Sequence, residues 1–194
     1  MQSLDAVTAV IPVVAALTRL GVRYYIGGSL AASIYGLART TLDIDLIADL
    51  KPEHATPLTA ALQPAYYANH DAIRDAIVRK SCFNVIYLAT SFKVDVFVPK
   101  GREYDRVAFQ RVREDNFGTG KPSDQFWFPS PEDVVLAKLQ WYRLGDETSE
   151  RQWRDIAEVL GTQKDVLDRR YLAKWAAELN VADLLAKAWK ETEA

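Results

Sequence analysis

Three aspartates carry the chemistry open to this chain. Asp43 and Asp45 stand one residue apart in TLDIDLIA, and Asp95 stands alone in FKVDVFV. Both segments alternate apolar and polar residues, so each predicts a strand in which residues i and i+2 share a face. Leu42, Ile44 and Leu46 then form one face of the first strand, and the two carboxylates project together from the other. In the second strand Val94, Val96 and Val98 lie on one side and Asp95 on the other. Paired carboxylates attract hard cations, and magnesium accepts shared carboxylates together with phosphate oxygens. Thirteen residues separate Asp43 from the tripeptide Gly27-Gly28-Ser29, which reads as a turn from a strand into a helix. Backbone N–H groups at a helix start attract anions. A place suited to both a divalent metal and a phosphate is suited to nucleoside triphosphate chemistry. Three carboxylates from neighbouring strands can hold two magnesium ions there.

The surrounding elements follow from periodicity and punctuation. Residues 4–20 predict a helix with Val7, Val10, Ile11, Val14, Leu17 and Leu20 on one face, kinked or restarted at Pro12 and ended by Gly21. Val22–Ile26 predicts a strand, and Ser29 is a candidate N-cap for the helix that follows. Its small residues Ala31, Ala32 and Ser33 permit close packing. Thr41–Ala48 is the aspartate strand. Pro52–Leu62 predicts a helix with proline in its first turn, and a short exposed helix is expected around Ala72–Val78. Phe83–Leu88 and Phe92–Val98 predict a hairpin. Tyr104–Arg113 predicts a helix, 114–124 a turn-rich loop, and Gln125–Phe128 a short strand. From Pro131 onward the pattern is helical. One helix opens with Ser130 as its N-cap, and others are expected at Thr148–Leu160, Arg170–Leu179 and Ala182–Glu191. The expected domains are residues 1–128 and 129–194, with a ligand cleft between the two lobes.

Composition narrows the function classes. The 194 residues suffice for one good-sized domain or a domain with a helical appendage, and 49% apolar with 26% charged residues is an ordinary globular balance. A formal net charge of −2 argues against coating nucleic acid by bulk charge. The single cysteine, Cys82, excludes an internal disulfide framework and a cysteine-based zinc site. No apolar run is long enough for a bilayer. The N-terminus MQSLDAVTAVIPVV has no basic flank and contains Asp5, so it makes a poor signal peptide, and the expected compartment is the cytoplasm.

The ordered set of a GGS turn, a DxD pair and a later strand-borne aspartate resembles the nucleotidyltransferase superfamily, whose fold is shared with DNA polymerase beta. The resemblance covers roughly residues 22–98. Within that superfamily the chain looks most similar to the AbiEii-type and MenT-like toxin nucleotidyltransferases, on Arg39-Thr40-Thr41 before the aspartate pair and on SPEDVVLAKLQWYR at 130–143. Lys138-Leu139, Arg143 and Asp155 match that group's C-terminal pattern more loosely. The resemblance implies an α/β (α+β) fold, with a small mixed sheet, flanking helices and a C-terminal helical bundle. It implies NTP as substrate and two magnesium ions on Asp43, Asp45 and Asp95, with Asp95 helping to deprotonate an acceptor hydroxyl. Gly28 and Ser29 would hold the β,γ-phosphates, Lys138 would reach the phosphates, and Gly27 and Arg39 would also bind the nucleotide. The implied reaction displaces pyrophosphate and leaves a nucleoside monophosphate on RNA (a tRNA end) or protein, with an antitoxin as a possible partner. An antibiotic- or small-molecule-modifying enzyme, and a non-catalytic binding module of the same fold, are the alternatives.

Several of these residues have plainer readings. Lys138 on an amphipathic helix fits a solvated residue or a partner of Glu132 or Asp133. Arg39 fits an ion-pair partner of the aspartate strand. Asp155, beside Arg151 and Arg154, reads as a surface aspartate on a charge-paired helix. Phe126, Trp127 and Phe128 read as packing, and Trp141, Trp153, Trp175 and Trp189 as a helical core.

Overall fold

A computed structural model describes residues 2–36, 43–116 and 125–192 of the chain, with side chains from residue 6 onward. Arg39, Thr40 and Thr41 lie outside the described residues. The chain divides into two compact units. The first holds the described residues up to Gly27 and from Asp43 to Phe128, and the second holds residues 28–36 and 129–192.

The first unit is built on a five-stranded mixed sheet. Its strands are β1 (Tyr24–Ile26), β2 (Asp43–Ala48), β3 (Tyr66–Tyr67), β4 (Cys82–Tyr87) and β5 (Phe92–Phe97), in the order β1-β2-β5-β4-β3. Only β2 and β5 run parallel; every other neighbour pair is antiparallel. One face is apolar: Ile26, Ile44, Leu46, Val85, Val94 and Val96 are all buried. Full burial of each such side chain contributes about 1.5–3 kcal/mol. Helix α1 (Gln2–Arg19) packs on β2 and β5, α3 (Ala55–Leu62) packs on α1, and α4 (His70–Arg79) packs on α3 and β4. A 3-10 turn at Pro52–His54 leads into α3.

Helix α1 runs through Pro12 without a restart. Its buried stripe includes Ala6, Ala9, Val13 and Ala16 beside Val7, Val10 and Leu17, whereas Ile11, Val14 and Leu20 are only half-buried. The small alanines let the helix approach closely, and that turns the buried face away from the one expected from the larger residues alone. Tyr66 fastens this layer, its hydroxyl donating to the Ala9 carbonyl at 2.6 Å. Between Tyr104 and Arg113 the expected helix stops early. Helix α5 spans Glu103–Gln110, and Arg113–Asn116 forms β6, paired with β7 (Gln125–Phe128) in a separate two-stranded sheet. β7 lies beside β1 and alternates as a half-buried strand should, with Phe126 and Phe128 buried and Trp127 40% exposed.

The second unit is helical: α2 (Gly28–Tyr35), α6 (Pro131–Leu144), α7 (Glu150–Gln163), α8 (Arg169–Glu178) and α9 (Ala182–Thr192). The start of α6 is buried together with its acids. Ser130 caps it, accepting from the Asp133 amide at 3.2 Å and donating to Asp133 Oδ2 at 2.7 Å. The Tyr171 hydroxyl donates to Asp133 Oδ1 at 2.7 Å, and the Asp168 amide donates to Glu132 Oε1 at 2.8 Å, so α8 is tied to the first turn of α6. Of the tryptophans expected in the core, only Trp175 is buried, and Trp141 is 49% exposed. Trp153 and Trp189 are half-buried and lie under cations instead, Lys187 at 4.6 Å and Arg169 at 4.2 Å from the ring centres.

Lys138 and Asp155 join α6 to α7. Lys138 Nζ stands 2.6 Å from Asp155 Oδ2, and both residues are buried. The expectation of a surface aspartate at 155 is therefore corrected. Asp155 sits in the buried stripe of α7 with Ile156, Val159 and Leu160, and the ammonium across from it offsets the desolvation of its charge. Removing one partner from such a pair leaves an uncompensated buried charge. Lys138→Met should lower the unfolding free energy by about 3–5 kcal/mol. The double variant Lys138→Met/Asp155→Leu should lose clearly less than Lys138→Met alone, both measured by urea unfolding.

Candidate functional site

The face of the five-stranded sheet opposite α1 carries the polar residues. Ladder register places them. Asp45 pairs with Asp95, and Asp43 pairs with Lys93, across the parallel β2–β5 ladder. On the far side of β5, Asn84 pairs with Asp95 and Ile86 with Lys93. Directly opposed residues share a face. The three aspartates expected to act together are thus brought onto one side of two adjacent strands. Tyr25, the partner of Ile47 on β1, continues that face and meets Phe109 of α5 edge-on at 5.0 Å.

The charges on this face are organised around a residue that strand periodicity did not single out. Lys93 Nζ lies 2.7 Å from Asp95 Oδ2 and 3.8 Å from Asp43 Oδ2. The hydrogen bond to Asp95 holds the Lys93 ammonium above the usual lysine range; burial opposes it, and the charges of Asp95, Asp43 and Asp45 add to the rise. Side-chain exposure is 13% for Asp95, against 40% for Asp43 and 44% for Lys93. Asp95 is therefore the most withdrawn of the three charges in this ion-pair group. As they stand, no three His, Cys, Asp or Glu side chains among the described residues form a ready metal cage. The donors nevertheless suit a hard cation. They are carboxylate oxygens on one face, and a positive ammonium already stands within 3.8 Å of two of them. The signal for Lys93 was present in its spacing of two from Asp95, but its register against Asp43 is a tertiary fact.

Backbone geometry ties the glycine turn to the same strands. The Gly27 amide donates to the Asp45 carbonyl at 2.8 Å, extending the β1–β2 ladder by one residue. A Cβ at Gly27 would fall 2.5 Å from Cδ1 of Ile47, so a side chain there displaces the isoleucine. Gly28 adopts φ +60°, the left-handed region that favours glycine.

In the second unit α2 begins at Gly28 itself, which puts Ser29 in the first turn instead of at the N-cap. Arg151 of α7 donates from Nη2 to Ser29 Oγ at 3.2 Å. This cation beside the serine of the turn was not anticipated, because the two residues are distant in sequence. Lys138, expected near phosphate, is committed to Asp155 as described above. Arg143 donates to both carboxylate oxygens of Asp183, at 2.6 and 2.7 Å. Arg39 lies outside the described residues. No described helix is long and apolar enough to cross a membrane.

No protein-family model and no curated protein sequence matches the chain. Solved structures do. The solution structure of the antibiotic-resistance factor ANT(2'')-Ia aligns with TM-score 0.53 at 15% identity, over 100% of this chain and 97% of that one. The crystal structure of ANT(2'')-Ia in complex with adenylyl-2''-tobramycin gives TM-score 0.54 at 14% identity, over 90% and 96%. An antigenic nucleotidyltransferase-like protein from Paracoccidioides brasiliensis gives 0.52 at 17% identity, over 96% and 93%. The chain has the nucleotidyltransferase fold.

Cys82 sits one pair beyond Asn84 on the face that carries the aspartates and reports on their charge. Its thiol donates to the Phe83 carbonyl at 3.5 Å. Burial of the sulfur, then the negative charges of Asp95 and Asp45, push the thiol up to about 11, with Lys93 opposing. A rise of about two units cuts the thiolate fraction about hundred-fold, and the greater nucleophilicity of a more basic thiolate returns about ten-fold. Iodoacetamide should therefore alkylate Cys82 about ten-fold more slowly than an unperturbed thiol at pH 8. Asp95→Asn should recover only part of that rate, because burial is the larger cause.

Proposed function

We propose that this protein is a magnesium-dependent nucleotidyltransferase that moves a nucleoside monophosphate from an NTP to an acceptor hydroxyl. The observation that carries the reading is the register of Asp45 against Asp95, with Asp43 on the same face, in a chain of nucleotidyltransferase fold. Asp43, Asp45 and Asp95 would hold the magnesium ions. Bound magnesium would neutralise the triphosphate and lower the pKa of the attacking hydroxyl. The acceptor oxygen forms a bond to the α-phosphorus, the bond to the bridging oxygen breaks, and pyrophosphate leaves. Asp95 receives the acceptor proton. Gly27, Gly28 and Ser29 hold the β,γ-phosphates through backbone N–H groups and the serine hydroxyl. Arg151, whose guanidinium already reaches Ser29, adds a charge-assisted contact to those phosphates. Lys138 supports α6 and α7 through its buried pair with Asp155 and acts on the nucleotide only through them. Arg39 remains a candidate nucleotide contact from its place before the aspartate pair. Positioning and charge neutralisation supply most of the rate in phosphoryl transfer.

RNA or a protein hydroxyl is the acceptor class that the toxin-like resemblance favours, with an antitoxin as partner. A small-molecule hydroxyl is the second reading. It is supported by the near full-length alignment to ANT(2'')-Ia, one structure of which holds an adenylylated tobramycin.

The test is incubation of purified protein with each α-labelled NTP and magnesium, in separate arms containing total RNA, cell protein or an aminoglycoside panel. Label should move in one arm and release pyrophosphate. Chelation, or Asp43→Ala/Asp45→Ala, should abolish it, a loss of at least about a thousand-fold if charge stabilisation by the metals carries the step. Transfer that survives both would overturn the metal-dependent reading. Arg151→Ala should raise the KM for NTP about ten-fold while kcat changes little, since a contact made equally to bound substrate and transition state affects binding alone.

A further inference from the structure

We propose that Lys93 is a tethered competitor of the divalent cation: its ammonium bridges Asp95 and Asp43 in the metal-free protein and must leave when metal binds. The inference rests on the metal-dependent reading above and adds a residue that neither the aspartate motif nor the fold assigns.

Placement comes first. Lys93 is two residues before Asp95 on β5, so the two side chains share a face, and it is the ladder partner of Asp43 on β2. The backbone thus delivers this lysine beside both carboxylates, and little chain entropy is spent in reaching them. Its nitrogen is 2.7 Å from the Asp95 oxygen and 3.8 Å from the Asp43 oxygen. Magnesium binds carboxylate oxygen at about 2.0–2.1 Å and dehydrates reluctantly, so it brings waters of its own. An ammonium in hydrogen-bond contact with that oxygen would lie within a few ångströms of the ion, with the same sign of charge. The two cations exclude one another at Asp95.

Exposure decides which one yields. Asp95 is 13% exposed and stands opposite Asp45 in the ladder, so it is the carboxylate that gains most from a cation beside it. Lys93 is 44% exposed, on a flexible four-carbon stem that can carry its charge out to water. A half-exposed ion pair is weak, and a doubly charged ion displaces it. Lys93 therefore keeps the carboxylates together in the absence of metal and sets a threshold for metal entry. The apparent metal affinity is the intrinsic affinity multiplied by the fraction of molecules in which the ammonium has already left.

The experiment measures metal binding and needs no turnover. Manganese is titrated against wild type, Lys93→Met and Lys93→Arg, with free manganese followed by electron paramagnetic resonance. Lys93→Met should bind manganese about five- to ten-fold more tightly than wild type, the ratio expected for removing one weak ion pair and one like-charge repulsion. Lys93→Arg, which keeps the cation, should stay near wild type. The wild-type protein gives an independent reading if Lys93→Met fails to fold. With lysines labelled at 13Cε and 15Nζ, and the Lys93 signal assigned by its loss in Lys93→Arg, magnesium should move that signal to the position of a solvated lysine. Equal or weaker manganese binding by Lys93→Met overturns the proposal while leaving the metal site standing. A Lys93 signal unmoved at saturating magnesium does the same. Absence of manganese binding to every protein overturns both this inference and the metal-dependent reading.

Discussion

The parallel ladder between β2 and β5 is the constraint on which the site depends. Side chains alternate with a period of two, so a slip of one residue in β2 would send Asp43 and Asp45 into the apolar layer and Ile44 and Leu46 into water, and a slip in β5 would do the same to Asp95 and to Val94 and Val96. The register is held by that apolar set, packed under α1, and not by the polar residues. Fidelity of the charged face is thus a by-product of hydrophobic burial on the other side. Gly27 extends the same frame, because its amide continues the β1–β2 ladder before the chain turns into α2.

The helical unit solves a different problem. It buries Glu132, Asp133, Lys138 and Asp155, charges that a small helical core does not readily accept. Each is compensated by a hydrogen-bond partner. Asp133 takes a cap hydroxyl and a tyrosine hydroxyl, Glu132 takes the amide that opens α8, and Lys138 and Asp155 take one another. These bonds have strict geometry, so they select one arrangement of α6, α7 and α8 where greasy packing alone would tolerate several.

The aspartate triad was legible because strand alternation is local: DID and VDV each announce their own face. The apolar layer and the order of elements were legible for the same reason. Pairings between distant segments were not. Nothing local in FKVDVFV says that Lys93 will stand opposite Asp43, or that Arg151 will reach Ser29. Asp155 was misread because its neighbours Arg151 and Arg154 suggested a solvated face, while its partner is on another helix. β6 was missed since Arg113–Asn116 is polar and exposed throughout and shows no alternation. The α1 face was misjudged because residue size was weighed above fit: Ala6, Ala9 and Ala16 are buried because they are small. Trp141 shows the converse, a large ring left half exposed on α6.

The rim of the five-stranded sheet at β3 has a consequence for sociability. That edge strand is two residues long, Tyr66 and Tyr67, and the opposite rim, β1, is only three. Unpaired backbone groups at a sheet margin invite strands from other molecules, and short margins are one way to discourage them. A visiting peptide could zip onto β3 for scarcely one repeat of the ladder before running out of template. Along these two rims, recognition of a macromolecule falls to side chains and charge, with main-chain pairing contributing almost nothing.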